Sequence, residues 1–222
     1  KYVLVKNPKV NINASQRQRA WMFQKTGGKC AKRLEAADGK SFRLSSGTEL
    51  RFSEAVFHGS GDSGLGWVII ATVEFGGERF VFAPDVQGPM VSCTAELILA
   101  EKPQLLMVGG PPFHLGGSRV DEACLEVAVE NLRRMVECVP TTILEHHALR
   151  DPQWRLRCEP IFSAATRANH RVVTAAEFMG KENQFLESRR AELYALQPPS
   201  EDFRRWMRLS GVDQSSTKPP IN

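Results

Sequence analysis

Gly66-Trp-Val-Ile-Ile-Ala-Thr-Val-Glu74 and Arg79-Phe-Val-Phe-Ala83 flank Gly76-Gly77, and this stretch decides the fold. Two β-branched and aromatic runs separated by paired glycines form an antiparallel hairpin, because glycine takes the positive φ angles of a tight turn without steric cost. Upstream, residues 42–44, 49–52 and 55–57 alternate with period two, so 41–83 reads as an antiparallel meander. Earlier still, 2–6 is a short apolar strand. Residues 11–25 form a helix capped by Asn13, with Ala20, Phe23 and Trp21 as candidates for its buried side, ended by Gly27-Gly28. After Pro89 the period becomes helical. A helix over 94–100 precedes a buried strand at 104–108. Ser118 caps a long helix reaching about residue 139 through Val120, Cys124, Val127, Leu132, Met135 and Val136, and 141–144 is a further strand. Residues 187–195 and 202–209 are helical, and 211–222 is a frayed tail. A meander followed by helix–strand–helix–strand makes an α/β domain in which helices cover sheets.

The chain has 222 residues, 42% hydrophobic and 24% charged, which excludes collagen-like, coiled-coil and wholly disordered chains. No apolar run reaches the ~18–20 residues of a membrane helix, so no membrane partner is expected. The 29 basic against 25 acidic residues give a net charge of +4, too mild for a nucleic-acid signature. Basic clusters at 17–19, 29–33, 155–157 and 204–208 read as solvated faces, with nucleic acid as the alternative. Five scattered cysteines without C-x-x-C spacing suit a reducing, cytoplasmic setting. The chain opens at Lys1 on a strand, so a start upstream is expected.

Three places put a metal-type ligand directly after a strand: His58 before a loop with glycines at 59, 61, 64 and 66; Asp85 after Pro84; and His146-His147 after Thr-Ile-Leu-Glu. Two imidazoles and a carboxylate far apart in sequence suit a dinuclear site, since imidazole favours zinc or iron and a carboxylate can bridge two ions. Side chains adjacent on a strand point to opposite faces, so only one of the two adjacent histidines is expected to ligate. We take His146 as that ligand and His147 as a substrate or supporting contact. Asp62 and Asp151 are candidates to orient the imidazoles. His114, in a Gly/Pro-rich loop, can line the pocket and transfer a proton or bind substrate. Asn13, Ser15, Gln16 and Arg19 form a polar helix start that either caps the helix or binds an anion.

The order His58-x-x-Gly-x-x-x-x-Gly-Trp67, hairpin, Asp85, later strand-end His resembles the second half of the metallo-β-lactamase fold. More closely, the chain resembles a largely archaeal family of that superfamily described as metal-dependent hydrolases. The matching segments are Lys6-Asn-Pro8, Asn11-Ile-Asn-Ala-Ser-Gln-Arg-Gln-Arg-Ala20, His58–Trp67, Phe82-Ala-Pro-Asp-Val-Gln-Gly-Pro89, Gly109-Gly-Pro-Pro-Phe-His-Leu-Gly-Gly117, Leu144-Glu-His-His-Ala-Leu-Arg-Asp151 and Thr174-Ala-Ala-Glu-Phe178. The superfamily signature His-x-His-x-Asp-His is absent from these residues and is expected upstream of Lys1. Glu145 stands where the family pattern has Asp.

The resemblance implies an αββα sandwich, mainly its C-terminal half, with residues 1–196 in the domain and 197–222 a C-terminal helix and tail. It further implies hydrolysis by a metal-activated hydroxide, with His58 on one ion, Asp85 bridging and His146 on the second. The metal is a divalent pair, zinc first, with manganese or iron as alternatives. The substrate is a small molecule or phosphoester, and a homo-oligomer is compatible with this reading. The rivals are a nuclease or phosphodiesterase of the same fold, and a metal-free, non-catalytic scaffold.

Overall fold

A computed structural model describes residues 1–61 and 63–221. It comprises two compact units, Lys1–Asn183 and a second from Gln184 onward. In the first unit, β1 (Tyr2–Val5) leads to α1 (Ala14–Lys25) and then to β2 (Arg33–Ala36). There follow β3 (Ser41–Arg43), β4 (Glu49–Phe52), β5 (Val56–Phe57), β6 (Trp67–Val68), β7 (Ala71–Phe75) and β8 (Glu78–Ala83). Next come α2 (Ser92–Ala100), β9 (Leu105–Gly109), α3 (Glu122–Cys138) and β10 (Thr141–Glu145). The unit closes with α4 (Trp154–Arg157), α5 (Glu159–Arg167), β11 (Arg171–Val173) and α6 (Ala175–Phe178). The second unit carries α7 (Arg190–Leu196), α8 (Glu201–Met207) and α9 (Gly211–Ser216).

Among the described residues, seven strands form one mixed sheet in the order β11-β10-β9-β8-β7-β4-β3. The hairpin joins its two halves: β7 and β8 are antiparallel, and from β8 outward β9, β10 and β11 are parallel. Gly76 and Gly77 turn it at φ +60° and +84°. The meander holds for β3, β4, β7 and β8, but 66–74 is not one strand. Trp67-Val68 leaves the main sheet to pair with Val56-Phe57 in a separate ribbon. A second ribbon joins β1 and β2 in parallel, and Tyr2 rests edge-on against Phe42 of the main sheet.

Alternation along the parallel strands sorts the core. Val81, Leu106 and Thr142 form one cross-strand row, and Ala83, Val108 and Leu144 the next. All six are buried. Helices supply the opposing layer with Ala95 and Ile98 of α2, Leu125, Leu132, Met135 and Val136 of α3, and Ile161 and Ala164 of α5. At ~1.5–3 kcal/mol per buried large aliphatic side chain, this layer dominates the stability of the unit. The interval 154–167, unassigned from the sequence, is thus helical and part of the core.

Three local expectations fail for identifiable reasons. The cap of α3 is Asp121, whose carboxylate accepts from the Ala123 amide at 3.0 Å; Ser118 donates instead to the Leu115 carbonyl, in a loop closed by Gly117 N–H to the Val120 carbonyl. Trp21 is 60% and Phe23 38% exposed, because the anchoring of α1 falls to the polar side chains of its first turn. The tail is not frayed throughout: Ser210 caps α9 by accepting from the Asp213 amide. Among the described residues no disulfide joins the cysteines, and no helix is long and apolar enough to cross a membrane.

Candidate metal centre

Parallel pairing builds the site. Ala83 lies beside Val108, and Gly109 beside Glu145, so β8, β9 and β10 end together at one sheet edge. Chain leaving that edge carries Asp85 two residues past β8 and His146-His147 immediately past β10. Carboxyl ends of parallel strands are where such folds place ligands, since the connecting loops diverge there and leave room. The β5–β6 ribbon brings the third element: the His58 amide donates to the Gly66 carbonyl at 3.0 Å, closing the glycine-rich loop behind the imidazole.

Four side chains meet at one carboxylate oxygen. Asp85 Oδ1 lies 3.4 Å from His146 Nε2, 3.4 Å from His147 Nε2 and 3.9 Å from His58 Nε2. Within this group, His58, Asp85 and His147 each offer a ligand atom within 4.8 Å of the other two. His146 stands to one side, its Nδ1 2.9 Å from Glu145 Oε2. Both adjacent histidines therefore reach Asp85, although only His147 belongs to the three-donor group. Strand alternation does not apply to them, because β10 stops at Glu145 and His147 has helical backbone angles in a turn. The two rings consequently lie 4.1 Å apart, centroid to centroid, on the same side.

Electrostatics separate the histidines. Burial pushes the His147 and His58 imidazoles below their ordinary range; Arg19 adds to the effect at His58, and Asp85 opposes it at both. Asp85 and Glu145 instead raise His146 to about 9. The Asp85 carboxyl is held well below the usual carboxylate range by His146 and His147. At neutral pH the site thus holds a carboxylate, two neutral imidazoles and one imidazolium. His58 Nε2 and both ring nitrogens of His147 are buried without a hydrogen-bond partner. Orphaned buried nitrogens cost ~1–3 kcal/mol each, a penalty a cation would remove.

The donor set fits such an ion. Bonds of ~2.0–2.2 Å at tetrahedral angles hold neighbouring donor atoms ~3.3–3.6 Å apart; within this set Asp85 Oδ1 lies 3.4 Å from His147 Nε2 and 3.9 Å from His58 Nε2. Glycine makes the approach possible. A Cβ on Gly109 would lie 1.6 Å from the Pro84 carbonyl oxygen, and one on Gly110 2.5 Å from the Ala148 Cβ. These two positions let the Asp85 and His147 turns close onto the end of β9, a role hidden in sequence because Gly-Gly-Pro-Pro reads as an ordinary loop.

The remaining candidates lie elsewhere. His114 is exposed on a short turn, Phe113–Leu115, beside the turn Ala148–Arg150, and does not line the cleft described below. Asp151 does not orient an imidazole; it accepts from the Gln153 amide at 2.7 Å and faces Arg157 at 3.7 Å. Asp62 lies outside the described residues. Asn13 and Gln16 form a reciprocal capping box, and Gln16 Nε2 also donates to the Trp67 carbonyl at 2.6 Å, so capping and this contact occupy Asn13 and Gln16. A cleft of about 420 Å³ opens against His58 and Asp85, with Lys6, Ile12, Gln16, Arg19 and Trp67 among its walls.

An archaeal protein from Korarchaeum cryptofilum, called a UPF0282 protein, is 41% identical over 207 residues, which cover 93% of this chain and 68% of the relative. The chain belongs to the UPF0282 family. UPF0282 proteins of Pyrobaculum neutrophilum and Thermococcus gammatolerans are each 39% identical, with 63% and 61% of their lengths covered. The chain thus spans less than two thirds of the length of those two relatives. No protein-family model matches this UPF0282 chain. Among solved structures, a mutant CmlA beta-hydroxylase aligns with a TM-score of 0.48 and 14% identity, over 78% of this chain and 38% of that one, and carries no weight here.

Proposed function

We propose that this UPF0282 chain is the larger part of a metal-dependent hydrolase with a metallo-β-lactamase-like αββα sandwich, and that His58, Asp85 and His147 hold a divalent cation, zinc first. One observation carries the reading: three donors from three separate elements converge at the sheet edge, with His58 Nε2 and both His147 ring nitrogens buried and unpartnered. His147 takes the role expected of His146, because its imidazole is neutral and orphaned whereas His146 is drawn to Glu145. A divalent cation bound there supplies a water of lowered pKa and a Lewis acid for hydrolysis of an ester or phosphoester. Asp85 stays ionised, and its Oδ1 faces His146 as well as His147. His146, hydrogen-bonded to Glu145, stands where it can hand a proton to a departing alkoxide. His114 receives no part in the metal site.

The test has two arms. Zinc binding to the 222-residue chain is measured by competition with a chromophoric chelator, beside Asp85→Ala, His147→Ala and His146→Ala. We expect Asp85→Ala and His147→Ala to lose most bound zinc, and His146→Ala to lose less; the opposite ranking of the two histidines would return the ligand role to His146. The full-length Korarchaeum relative is then screened with esters and phosphoesters. A well-folded relative that binds no divalent metal would overturn the hydrolase reading in favour of a scaffold.

A further inference from the structure

Among the described residues, the cleft beside the metal centre carries one cation that the fold does not use. Its polar wall comes from Lys6, Asn7, Gln16 and Arg19, and its apolar wall from Pro8, Ile12, Ala20, Trp67, Val68 and Ile69. Most polar donors here are committed. Gln16 caps α1 and binds both the amide and the carbonyl of Trp67. The Lys6 ammonium donates to the Val10 carbonyl at 2.9 Å and faces Asp38 at 3.8 Å, so its charge is answered locally. Arg19 differs: among the described residues its guanidinium has no ion pair and no hydrogen bond. It sits close enough to His58 for its charge to be felt at the imidazole. An unanswered guanidinium, a planar fork matched to oxyanions, thus shares one cleft with an apolar wall and with Asp85.

We infer that Arg19 is a specificity-determining residue that binds the oxyanion of a small organic substrate whose apolar part lies against Ile12, Trp67 and Val68. The inference rests on the hydrolase reading only in placing the scissile bond beside Asp85. Oxyanion capture itself needs no metal. A phosphate and a carboxylate share the required chemistry, and the volume of about 420 Å³ suits a small molecule rather than a polymer.

The test is titration calorimetry on the 222-residue chain after removal of divalent metal with EDTA, using phenyl phosphate, benzoate and neutral benzamide, with amide shifts at Ala20 and Trp67 as locators. At least one anion is expected to bind and benzamide not. Arg19→Gln should weaken the bound anion ~10–100-fold, the value of one charge-assisted pair, while Arg19→Lys, which keeps the charge but not the planar fork, should fall between Arg19→Gln and the wild type. Arg19 is exposed on α1, so unchanged thermal midpoints of both variants establish that they fold. Equal binding by Arg19→Gln, benzamide binding as tightly as the anions, or no anion binding by the wild type would overturn the inference. So would a short DNA oligonucleotide binding more tightly than phenyl phosphate. Failure of the full-length relative to bind divalent metal would sink the hydrolase reading and leave this result standing.

Discussion

Replacing Gly109 by alanine tests whether close backbone approach assembles the metal centre. The new Cβ would lie 1.6 Å from the Pro84 carbonyl oxygen, 2.8 Å from its carbon and 3.4 Å from His147 Cδ2. Backbone cannot rotate away as a side chain can, so β8 and β9 must separate by about 1.5 Å to restore ordinary contact. Overpacking of this kind costs ~1–3 kcal/mol, and a backbone clash belongs at the upper end. Pro84 precedes Asp85, so the same shift carries the carboxylate off the 3.4 Å spacing it keeps with His147. We expect zinc affinity to fall ~10–100-fold, as when a ligand loses its supporting contacts. Urea denaturation with chelator competition reads both quantities. Gly47→Ala is the control: its Cβ would meet nothing within 4 Å, and its φ of +87° adds only left-handed strain, ~1–2 kcal/mol, with zinc binding intact. Wild-type stability and zinc affinity in Gly109→Ala would refute the reasoning.

Three further outcomes are expected. Leu132 is fully buried in α3, so Leu132→Ala should cost ~2–5 kcal/mol in urea denaturation; a loss below ~1 kcal/mol would mean the helix layer is not packed as described. Asn131, also buried, donates to the Pro89 carbonyl at 2.9 Å, and Asn131→Ala should cost ~1–3 kcal/mol by stranding that carbonyl near the Asp85 turn, while Asn131→Asp should be no better. Burial pushes the Cys158 thiol up to about 12, so at pH 8 it stays protonated. Iodoacetamide should label exposed Cys30, Cys93 and Cys138 and spare Cys158, as peptide mass mapping would show; labelling of Cys158 at a comparable rate in the folded protein would contradict its burial.

Local pattern was enough for the elements whose chemistry is local. Gly76-Gly77 turns the hairpin because only neighbouring residues decide a two-residue turn, and Asn13 caps α1 because the cap bonds the next turn of the same helix. His58, Asp85 and the His146-His147 pair could be singled out because each ends a recognisable strand. The strand β2 escaped notice because Arg33–Ala36 holds little apolar alternation and owes its form to pairing with β1, thirty residues earlier in the chain. The helix at 159–167 could have been found, since Ile161, Ala164 and Ala165 follow helical spacing, but the two arginines and Pro160 nearby obscured it.

Tertiary structure alone decided which side chains share the site. A strand-alternation rule separated His146 from His147, but β10 ends before both, and a turn obeys no period of two. Burial then distinguished them: desolvation leaves His147 neutral and unpartnered, whereas Glu145 and Asp85 charge His146. No property of the one-dimensional chain requires Gly109 to be small; the Pro84 carbonyl does, and it arrives there only when β8 and β9 pair in parallel. Sequence by itself determined the kinds of ligand and the strand ends that carry them, because those depend on residue type and nearest neighbours. Their convergence on one carboxylate oxygen depends on the order of β8, β9 and β10 in the sheet, a long-range choice set by which apolar faces the helices bury.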